Sequence, residues 1–476
     1  MRSLGGFWVT WVVFIRFDCF LTLCILSSSH KIQPLARDRN YKYRLNGMFE
    51  RIEKQASEED PNHPEFKGDS APNIASKLFK KSGGEKFDDE LISEFNKEEN
   101  QGEHDTSNTE LFNPDCSPIK HVTFVRNQRA GGACITNLLL QHAERERLIV
   151  ALPLQDHWEL GGFPAKIRST LIDPQLPKYD VFVHPFRYER SQLQRFAKYD
   201  AKQITILRNP VAHVLSVFRT MGKFPYEVWL KEGETFGDFI EHPQKYYNNT
   251  TPGYYKAKNF QAYQLGFDSD ADSDQAIIKA IQELDHTFSL VMITEFFDES
   301  LLLMREELCL KLDDLVHLKL NIRHRTEHEH ESVEDDKWLH YHVSKLNRID
   351  ISLYDYFVQK LRVKIKNYGI SRMERHVGLL REKIEERIDE CIEKYVYDDG
   401  EVLARIVLKK SAPEICRRLI EDDVESANRF RSLQKVWFAS RGRDVEHLEY
   451  DKAHDLLHSL QEKLFGEHHH MIHEDF

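Results

Sequence analysis

The run RNQRAGGAC, at residues 126–134, combines two arginines with a stretch of small residues. It follows the apolar run HVTFV and precedes a helix-compatible run, which indicates a loop between a strand and a helix. Small residues allow a tight turn, and the free N–H groups at a helix start favour an anion. Arg129 adds a bidentate donor for phosphate or sulfate oxygens. The pattern predicts an anion site, the alternative being an ordinary strand-to-helix turn.

A second basic position follows another apolar run, ITIL. Arg208 is expected at the tip of that strand, and Ser216 lies eight residues later inside a helix that Pro210 opens. A guanidinium and a hydroxyl so placed are able to hold one phosphate between them. The alternative is an arginine paired with a carboxylate and a serine that faces solvent. The pattern GxxxxGK(S/T) is absent, which argues against an ordinary P-loop kinase or nucleotide triphosphatase.

Four apolar runs predict the strands that would position these residues, namely HVTFV, YDVFVH, KQITILR and FSLVMITE. They alternate with helix-compatible segments, which is typical of a parallel sheet covered by helices on both faces. In such folds the ligand binds at the carboxyl ends of the strands. The chemistry is therefore expected at residues 126–134, at His184 and between Arg208 and Ser216. From residue 371 onward the sequence is highly charged and predicts further helices.

The composition limits the classes of function. The 476 residues carry 66 Lys and Arg against 78 Asp and Glu, a net charge of −12, so no nucleic-acid partner is expected. An apolar content of 41% suffices for a large core. The predicted organisation is a signal-anchor segment at residues 1–29, a polar and largely disordered stem at 30–118, a catalytic domain at 119–370 and a charged helical region at 371–476.

Residues 7–26 are apolar and long enough to cross a bilayer as a helix, although Arg16 and Asp18 interrupt them. A signal-anchor is the preferred interpretation, with a cleaved signal peptide and a buried helix as alternatives. Basic residues follow the segment, so the positive-inside rule favours a cytosolic chain. Overlapping glycosylation sequons at Asn248 and Asn249, which matter only in the secretory lumen, favour the opposite orientation. The orientation stays open on these grounds.

Five cysteines lie beyond the apolar segment: Cys116, Cys134, Cys309, Cys391 and Cys416. In an oxidising lumen some of them are expected to pair, which leaves at least one free, but the sequence does not define the pairing. The seven cysteines of the whole chain are too few for a disulfide-framework protein. The histidines at residues 468–470 and 473 are interpreted as part of a flexible tail rather than as a metal site.

Four longer stretches carry a family resemblance: YDVFVHPFRY, ITILRNPVAHVLSVF, KNFQAYQLGFD and FSLVMITEFFDESLLLMREELCLKLDDLVHLKLN. In these stretches the chain resembles the galactose 3-O-sulfotransferase family of Golgi carbohydrate sulfotransferases. The resemblance covers residues 121–368, about half of the chain. It implies a P-loop-like α/β sulfotransferase fold, in which a parallel sheet is flanked by helices, with a helical C-terminal extension.

The resemblance also implies a single-pass type II Golgi membrane protein with a luminal catalytic domain. Such enzymes move a sulfuryl group from 3′-phosphoadenylyl sulfate (PAPS) to the 3-hydroxyl of a terminal β-galactose, here on a galactosylceramide-like glycolipid or on a glycoprotein glycan. No metal is implied. The residues implied for donor binding are Arg126, Arg129, Ala130, Gly131, Gly132, Ala133, Cys134, Arg208 and Ser216. Catalytic roles are implied for Arg129 and His184.

The loop departs from the family pattern, which reads close to Lys-Thr-His-Lys-Thr-Ala. Gln128 replaces the family histidine and does not accept a proton at neutral pH. The hydroxyl positions that follow have become Gly132, Ala133 and Cys134, so contacts to phosphate there depend on backbone N–H groups. His184, at the end of a predicted strand, is then the candidate general base, the alternative being a structural histidine.

Two alternatives to an active galactose sulfotransferase stay open on the sequence alone. The loss of the loop histidine and of the hydroxyls is compatible with a catalytically impaired protein that binds nucleotide or glycan. The other alternative is a different nucleotide-dependent transferase of the same fold, since a fold does not define its chemistry.

Overall fold

The computed structural model describes residues 45, 47, 49, 71–81, 116–221, 225–271, 273–320, 337–396, 404–442 and 455–460. They all belong to the second of two units of the chain, Asn40–Phe476. The predicted signal-anchor, most of the predicted stem and the histidine-rich tail lie outside the described residues. Within the described part, no helix is both long and apolar enough to cross a membrane.

A four-stranded sheet forms the centre of the described fold. Its strands are β1 (Val122–Val125), β2 (Val181–Phe182), β3 (Lys202–Leu207) and β4 (Leu290–Ile293), in the spatial order β2-β1-β3-β4. Every neighbouring pair is parallel. The strands coincide with the four apolar runs, because strands covered on both faces bury consecutive residues. The α/β class and the parallel sheet flanked by helices are thereby confirmed.

Helices alternate with these strands and continue beyond them. In chain order they are α1 (Ala71–Lys81), α2 (Gly132–Glu146), α3 (Arg190–Phe196), α4 (Pro210–Thr220), α5 (Tyr226–Trp229), α6 (Phe236–Glu241), α7 (Pro243–Tyr246), α8 (Phe260–Gln264), α9 (Asp274–Thr287), α10 (Phe297–Leu308), α11 (Lys337–Leu346), α12 (Arg348–Tyr368), α13 (Ile370–Cys391), α14 (Glu414–Ile420) and α15 (Asp423–Ser440). Single 3₁₀ turns lie at Ser169–Leu171, Tyr254–Lys256, Thr294–Phe296 and Leu312–Leu315.

Local chemistry explains where the two site helices begin. Asn209 caps α4, since its Oδ1 accepts hydrogen bonds from the N–H groups of Val211 and Ala212. Pro210 occupies the first turn, where its missing N–H is not needed, as the sequence predicts. Before α2, Gly131 adopts a left-handed φ of 85°, a conformation that glycine tolerates without steric cost. Both helices therefore start directly at the carboxyl edge of the sheet.

The region after residue 370 is helical, as predicted, but it also contains an antiparallel hairpin. Its strands are β5 (Ile392–Val396) and β6 (Arg405–Leu408). A disulfide between Cys391 and Cys416 closes the hairpin, and a second one joins Cys116 to Cys309. Cys134 is free and buried.

The C-terminal helices pack on the sheet domain. The Val150 N–H donates to Oε1 of Gln434 on α15, and the amide of Asn137 on α2 donates to the carbonyl of Leu419. Phe430 belongs to the same buried cluster as the sheet residues. The start of α15 is thus brought to the sheet, while the domain boundary proposed at residues 370 and 371 stays a prediction.

Candidate active site

Two separate segments of the chain converge at the carboxyl edge of the sheet. Nη1 of Arg208, directly after β3, donates to the carbonyl of Arg129 at 2.9 Å. Nε of Arg129 lies 3.4 Å from the Ser216 hydroxyl on α4, at the long end of hydrogen-bond range. All three side chains are half-buried. The structure therefore brings together the three polar residues that the sequence predicts for anion binding at these two segments.

Buried hydrogen bonds hold the loop between β1 and α2. The amide of Asn127 donates to the carbonyl of Ile206 on β3. The Gln128 N–H donates to Oε1 of Gln264, and the Gln128 carbonyl accepts from Nε2 of His213 at 2.9 Å. These contacts use the main chain of Gln128, so the residue that replaces the family histidine contributes to loop geometry. The loop is rigidly placed before any ligand binds.

The backbone of the loop requires its small residues. Arg129 has a φ of 64° and Gly131 a φ of 85°, so the turn uses left-handed conformations at both positions. A Cβ on Gly132 would lie 2.6 Å from Cγ of Arg126, closer than the two atoms can approach. The small residues thus allow the first turn of α2 to pass beside an arginine, which places N–H groups and guanidinium groups on one side.

Residues of the KNFQAYQLGFD stretch position Arg208. Oε1 of Gln261 accepts from the Arg208 N–H, and its Nε2 donates to the Arg208 carbonyl. The carboxylate of Asp350 accepts from the N–H groups of Gln261 and Ala262 at the start of α8. Burial raises the pKa of Asp350 to about 7, and these two hydrogen bonds oppose the rise. No local sequence pattern indicates a role for Gln261 or Asp350.

The Arg129 guanidinium lies close to two other arginines, Arg208 and Arg126. Burial, together with the neighbouring charges of Arg208 and Arg126, lowers its pKa to about 10. In the described part of the chain, no carboxylate lies within ion-pair distance of Arg129. A half-buried guanidinium that faces two others is electrostatically favourable only when an anion joins it, so the arrangement fits a phosphate or sulfate group.

Arg126 is neutralised by a residue that the sequence did not point to. Its Nη1 lies 2.6 and 2.8 Å from the two carboxylate oxygens of Asp423, the first residue of α15. In the structure, Asp422 and Glu425 form a capping box at the start of this helix. That pattern indicates a helix start and says nothing about which distant residue the helix reaches.

His184 is buried close to the ion pair of Arg126 and Asp423. It is fully buried, and its Nδ1 is 3.9 Å from Oδ1 of Asp423. Neither ring nitrogen has a hydrogen-bond partner among the described residues. Burial lowers the pKa of His184 to about 4, Asp423 opposes this, and Arg126 and Arg431 add to it. The ring is therefore neutral at neutral pH, and its role as general base stays a prediction.

The remaining predicted site residues differ in exposure. Ala130, Gly132 and Cys134 are buried, Ala133 is half-buried and Gly131 is exposed. The Cys134 thiol donates to the carbonyl of Leu318, and burial raises its pKa, so it stays protonated. The two predicted glycosylation sites, Asn248 and Asn249, are exposed in the segment that follows α7.

Comparison with known proteins agrees with this architecture. The family model described as galactose-3-O-sulfotransferase matches residues 60–420. Galactosylceramide sulfotransferase of Mus musculus is 26% identical over 301 residues, which cover 62% of this chain and 69% of that protein. Galactose-3-O-sulfotransferase 3 of Bos taurus is 29% identical over 293 residues, 59% of this chain and 68% of that protein. Galactose-3-O-sulfotransferase 2 of Homo sapiens is 27% identical over 282 residues, 58% of this chain and 69% of that protein. The chain, with its parallel sheet and its paired basic segments, belongs to the galactose-3-O-sulfotransferase family.

Proposed function

We propose that the chain transfers a sulfuryl group from PAPS to the 3-hydroxyl of a terminal β-galactose on a glycolipid or a glycoprotein glycan. The printed names of the relatives support the reaction type and the sugar. The contact that carries the proposal is the convergence of Arg129, Arg208 and Ser216 into one cationic site. PAPS carries a 3′-phosphate and a 5′-phosphosulfate, so it offers an anionic group to each of the two segments.

We assign the residue roles from the family resemblance, and the convergence of the two segments supports them. The loop of residues 126–134 and the start of α2 serve as a P-loop-like cradle for the 5′-phosphosulfate, through N–H groups and Arg129. Arg208 and Ser216 hold the 3′-phosphate. Arg126 lines the same site and is balanced by Asp423. No metal is required in this scheme, because the charge of the donor is met by guanidinium groups.

The chemistry depends on positioning and charge. Sulfuryl transfer resembles phosphoryl transfer, in which a loose, in-line transition state places charge on the peripheral oxygens. Fixed cationic donors such as Arg129 stabilise that charge without reorganising. Contacts to the 3′-phosphate contribute binding free energy away from the bond that breaks, and this energy holds the reacting atoms in line. A proton acceptor is also needed beside the galactose hydroxyl, and His184 is the sequence-based candidate.

Titration calorimetry with adenosine 3′,5′-bisphosphate tests the donor site. Arg208→Ala is expected to weaken binding at least about 30-fold, because a charge-assisted contact to phosphate is lost. The exposed Arg195→Ala on α3 is the matched control and is expected to bind like the wild type. A wild-type protein that does not bind the bisphosphate, or that binds ATP equally well, would contradict the proposed donor.

A second candidate function is a protein that binds nucleotide or glycan without turnover. Gln128 in place of a histidine and the unpartnered nitrogens of His184 favour it. The two functions are separated by transfer of label from ³⁵S-labelled PAPS to a panel of β-galactosides. Bisphosphate binding without any transfer would favour the binding protein, whereas turnover would exclude it.

We further propose a luminal, single-pass type II location in the Golgi membrane. Two disulfides and an exposed sequon pair at Asn248 and Asn249 support an oxidising lumen. The full chain expressed in secretory cells is expected to carry an N-glycan, seen as a mass shift on peptide N-glycosidase treatment. The shift is expected to disappear in the Asn248→Gln/Asn249→Gln double variant. An unshifted wild-type chain with free thiols at Cys391 and Cys416 would contradict this location.

A further inference from the structure

A loop at residues 157–164 reaches the carboxyl edge of the sheet beside the candidate active site. The Leu160 N–H donates to the carbonyl of Pro185 at 2.7 Å, and Pro185 directly follows His184 beyond β2. Glu159 precedes Leu160 in this loop and is half-buried. The loop therefore lies next to the carboxyl end of a strand, which is where α/β folds bind their ligands.

The same loop packs against the helix that carries Ser216. Phe163 belongs to a buried cluster with Val217 of α4, with Met221 directly after this helix and with Tyr255. Val217 is the residue after Ser216 in the helix. The loop is therefore held from two sides, by the end of β2 and by α4, and α4 carries Ser216 of the proposed donor site.

Two glycines define the backbone directly after Glu159. Gly161 and Gly162 have φ values of 72° and 92°. A Cβ on Gly161 would lie 2.5 Å from Cγ1 of Ile167, and a Cβ on Gly162 would lie 2.9 Å from Cδ1 of Leu171. Only glycine fits both the conformation and the space. The observed path of the backbone after Glu159 therefore depends on these two glycines.

The Glu159 carboxylate faces one cation and one anion. It interacts electrostatically with Lys256, which donates to the carbonyl of Met221 at the end of α4, and with Asp423. Over the described ranges, no side chain hydrogen-bonds to the Glu159 carboxylate or lies within ion-pair distance of it. The Asp423 carboxylate, by contrast, forms an ion pair with Arg126. The Glu159 carboxylate thus lies beside the site, and its oxygens form no hydrogen bond or ion pair with another described side chain.

The surroundings of Glu159 also raise the pKa of its carboxyl group. Burial raises the pKa of Glu159 to about 8. A hydrogen bond from its own backbone N–H and the charge of Lys256 oppose the rise, and the charge of Asp423 adds to it. A base whose pKa lies near the working pH is the most effective proton acceptor. Burial lowers the pKa of His184 to about 4, and Gln128 does not titrate.

We propose that Glu159 is the catalytic base that takes the proton from the acceptor hydroxyl. The inference rests on the proposed sulfuryl transfer from PAPS. In that step the galactose oxygen forms a bond to sulfur while its proton passes to Glu159. The bond between sulfur and the 5′-phosphate oxygen breaks, and its electrons leave with adenosine 3′,5′-bisphosphate. Glu159 then returns its proton to water when the products leave.

The test uses the full chain, ³⁵S-labelled PAPS and p-nitrophenyl β-galactoside. Glu159→Gln is expected to lower kcat about 100-fold, the size typical of a lost general base. Its affinity for adenosine 3′,5′-bisphosphate is expected to stay within about threefold, because Glu159 does not contact the donor. Glu159→Asp is expected to recover part of the rate. The matched control is Glu232→Gln, an exposed carboxylate, which is expected to leave both values unchanged.

The pH profile gives an independent measure. The base acts only when deprotonated, so kcat/KM of the wild type is expected to rise about tenfold per pH unit up to about pH 8. Lys256, Asp423 and Tyr255 are the other titratable groups that interact with Glu159. Glu159→Gln is expected to lose this rise while Glu232→Gln keeps it.

The outcomes separate the inference from the function on which it rests. An active wild type whose Glu159→Gln variant keeps more than a third of its rate, or loses bisphosphate binding in step with activity, would overturn the role of Glu159 alone. The same holds if His184→Asn removes the pH-dependent rise and Glu159→Gln does not. A wild type that binds bisphosphate and transfers no label to any β-galactoside would overturn both proposals.

Discussion

Arg129→Ala is expected to lower kcat/KM for sulfuryl transfer by about 10³-fold, the size seen when a guanidinium that stabilises a transferring group is removed. The expectation follows from the surroundings of this side chain. Its pKa is lowered to about 10 by burial and by two neighbouring arginines, so its charge is held in a site that favours an added anion. The charge on the sulfuryl oxygens grows in the transition state, and the contact strengthens with it.

Arg129→Lys separates charge from geometry. The variant keeps a cation but loses the planar fork that contacts two oxygens at once, so an intermediate loss of about 10- to 100-fold is expected. Steady-state kinetics with labelled PAPS gives the rates, and Arg195→Ala serves as the control for removing an exposed arginine. An Arg129→Ala variant within threefold of the wild type would show that the guanidinium does not meet the transferring group.

The sheet could be predicted from sequence because its strands are buried on both faces. All four residues of β1 and of β4 are buried, so their side chains form continuous apolar runs rather than an alternating pattern. In the structure β1 and β3 are parallel neighbours, so their carboxyl ends lie side by side. This adjacency explains why Arg129 and Arg208, which are 79 residues apart, meet as expected.

The remaining parts of the site depend on contacts without a local pattern. Arg126 and Asp423 are separated by 297 residues, and neither sequence neighbourhood contains a feature that specifies the other. Glu159 lies in an irregular loop whose path depends on Gly161 and Gly162, and on apolar packing against α4. A buried hydrogen-bond network such as that of Gln261 is likewise specified by the packed fold. Local periodicity predicts elements, whereas these contacts arise only when the elements pack.

The charge balance at the sheet edge ties the C-terminal helices to the chemistry. Asp423 neutralises Arg126, which leaves Arg129 and Arg208 to meet the donor. The same carboxylate raises the pKa of Glu159 and opposes the fall in the pKa of His184. The contacts that hold α15 against the sheet domain therefore determine where the Asp423 charge lies in the site.

Arg431 is the main polar anchor of α15. Its Nε donates to the fully buried carboxylate of Asp173 at 2.7 Å, and its Nη2 donates to the carbonyl of Pro153 at 2.7 Å. Its Nη1 donates to Asn428 on the same helix. Arg431 itself is buried, so this ion pair lies away from water. Removing one partner of such a pair leaves the other charge in a medium that solvates it poorly.

Arg431→Met is expected to lower the free energy of unfolding by about 3–5 kcal/mol, because the Asp173 carboxylate loses its cation while burial is retained. Urea unfolding at neutral pH measures the change, with Arg441→Met, an exposed arginine after α15, as a control expected within about 0.5 kcal/mol of the wild type. The double variant Arg431→Met/Asp173→Asn is expected to regain about 2 kcal/mol, since no buried charge is left unpaired. A loss as small as that of Arg441→Met, or a double variant less stable than Arg431→Met, would contradict the ion pair as the anchor.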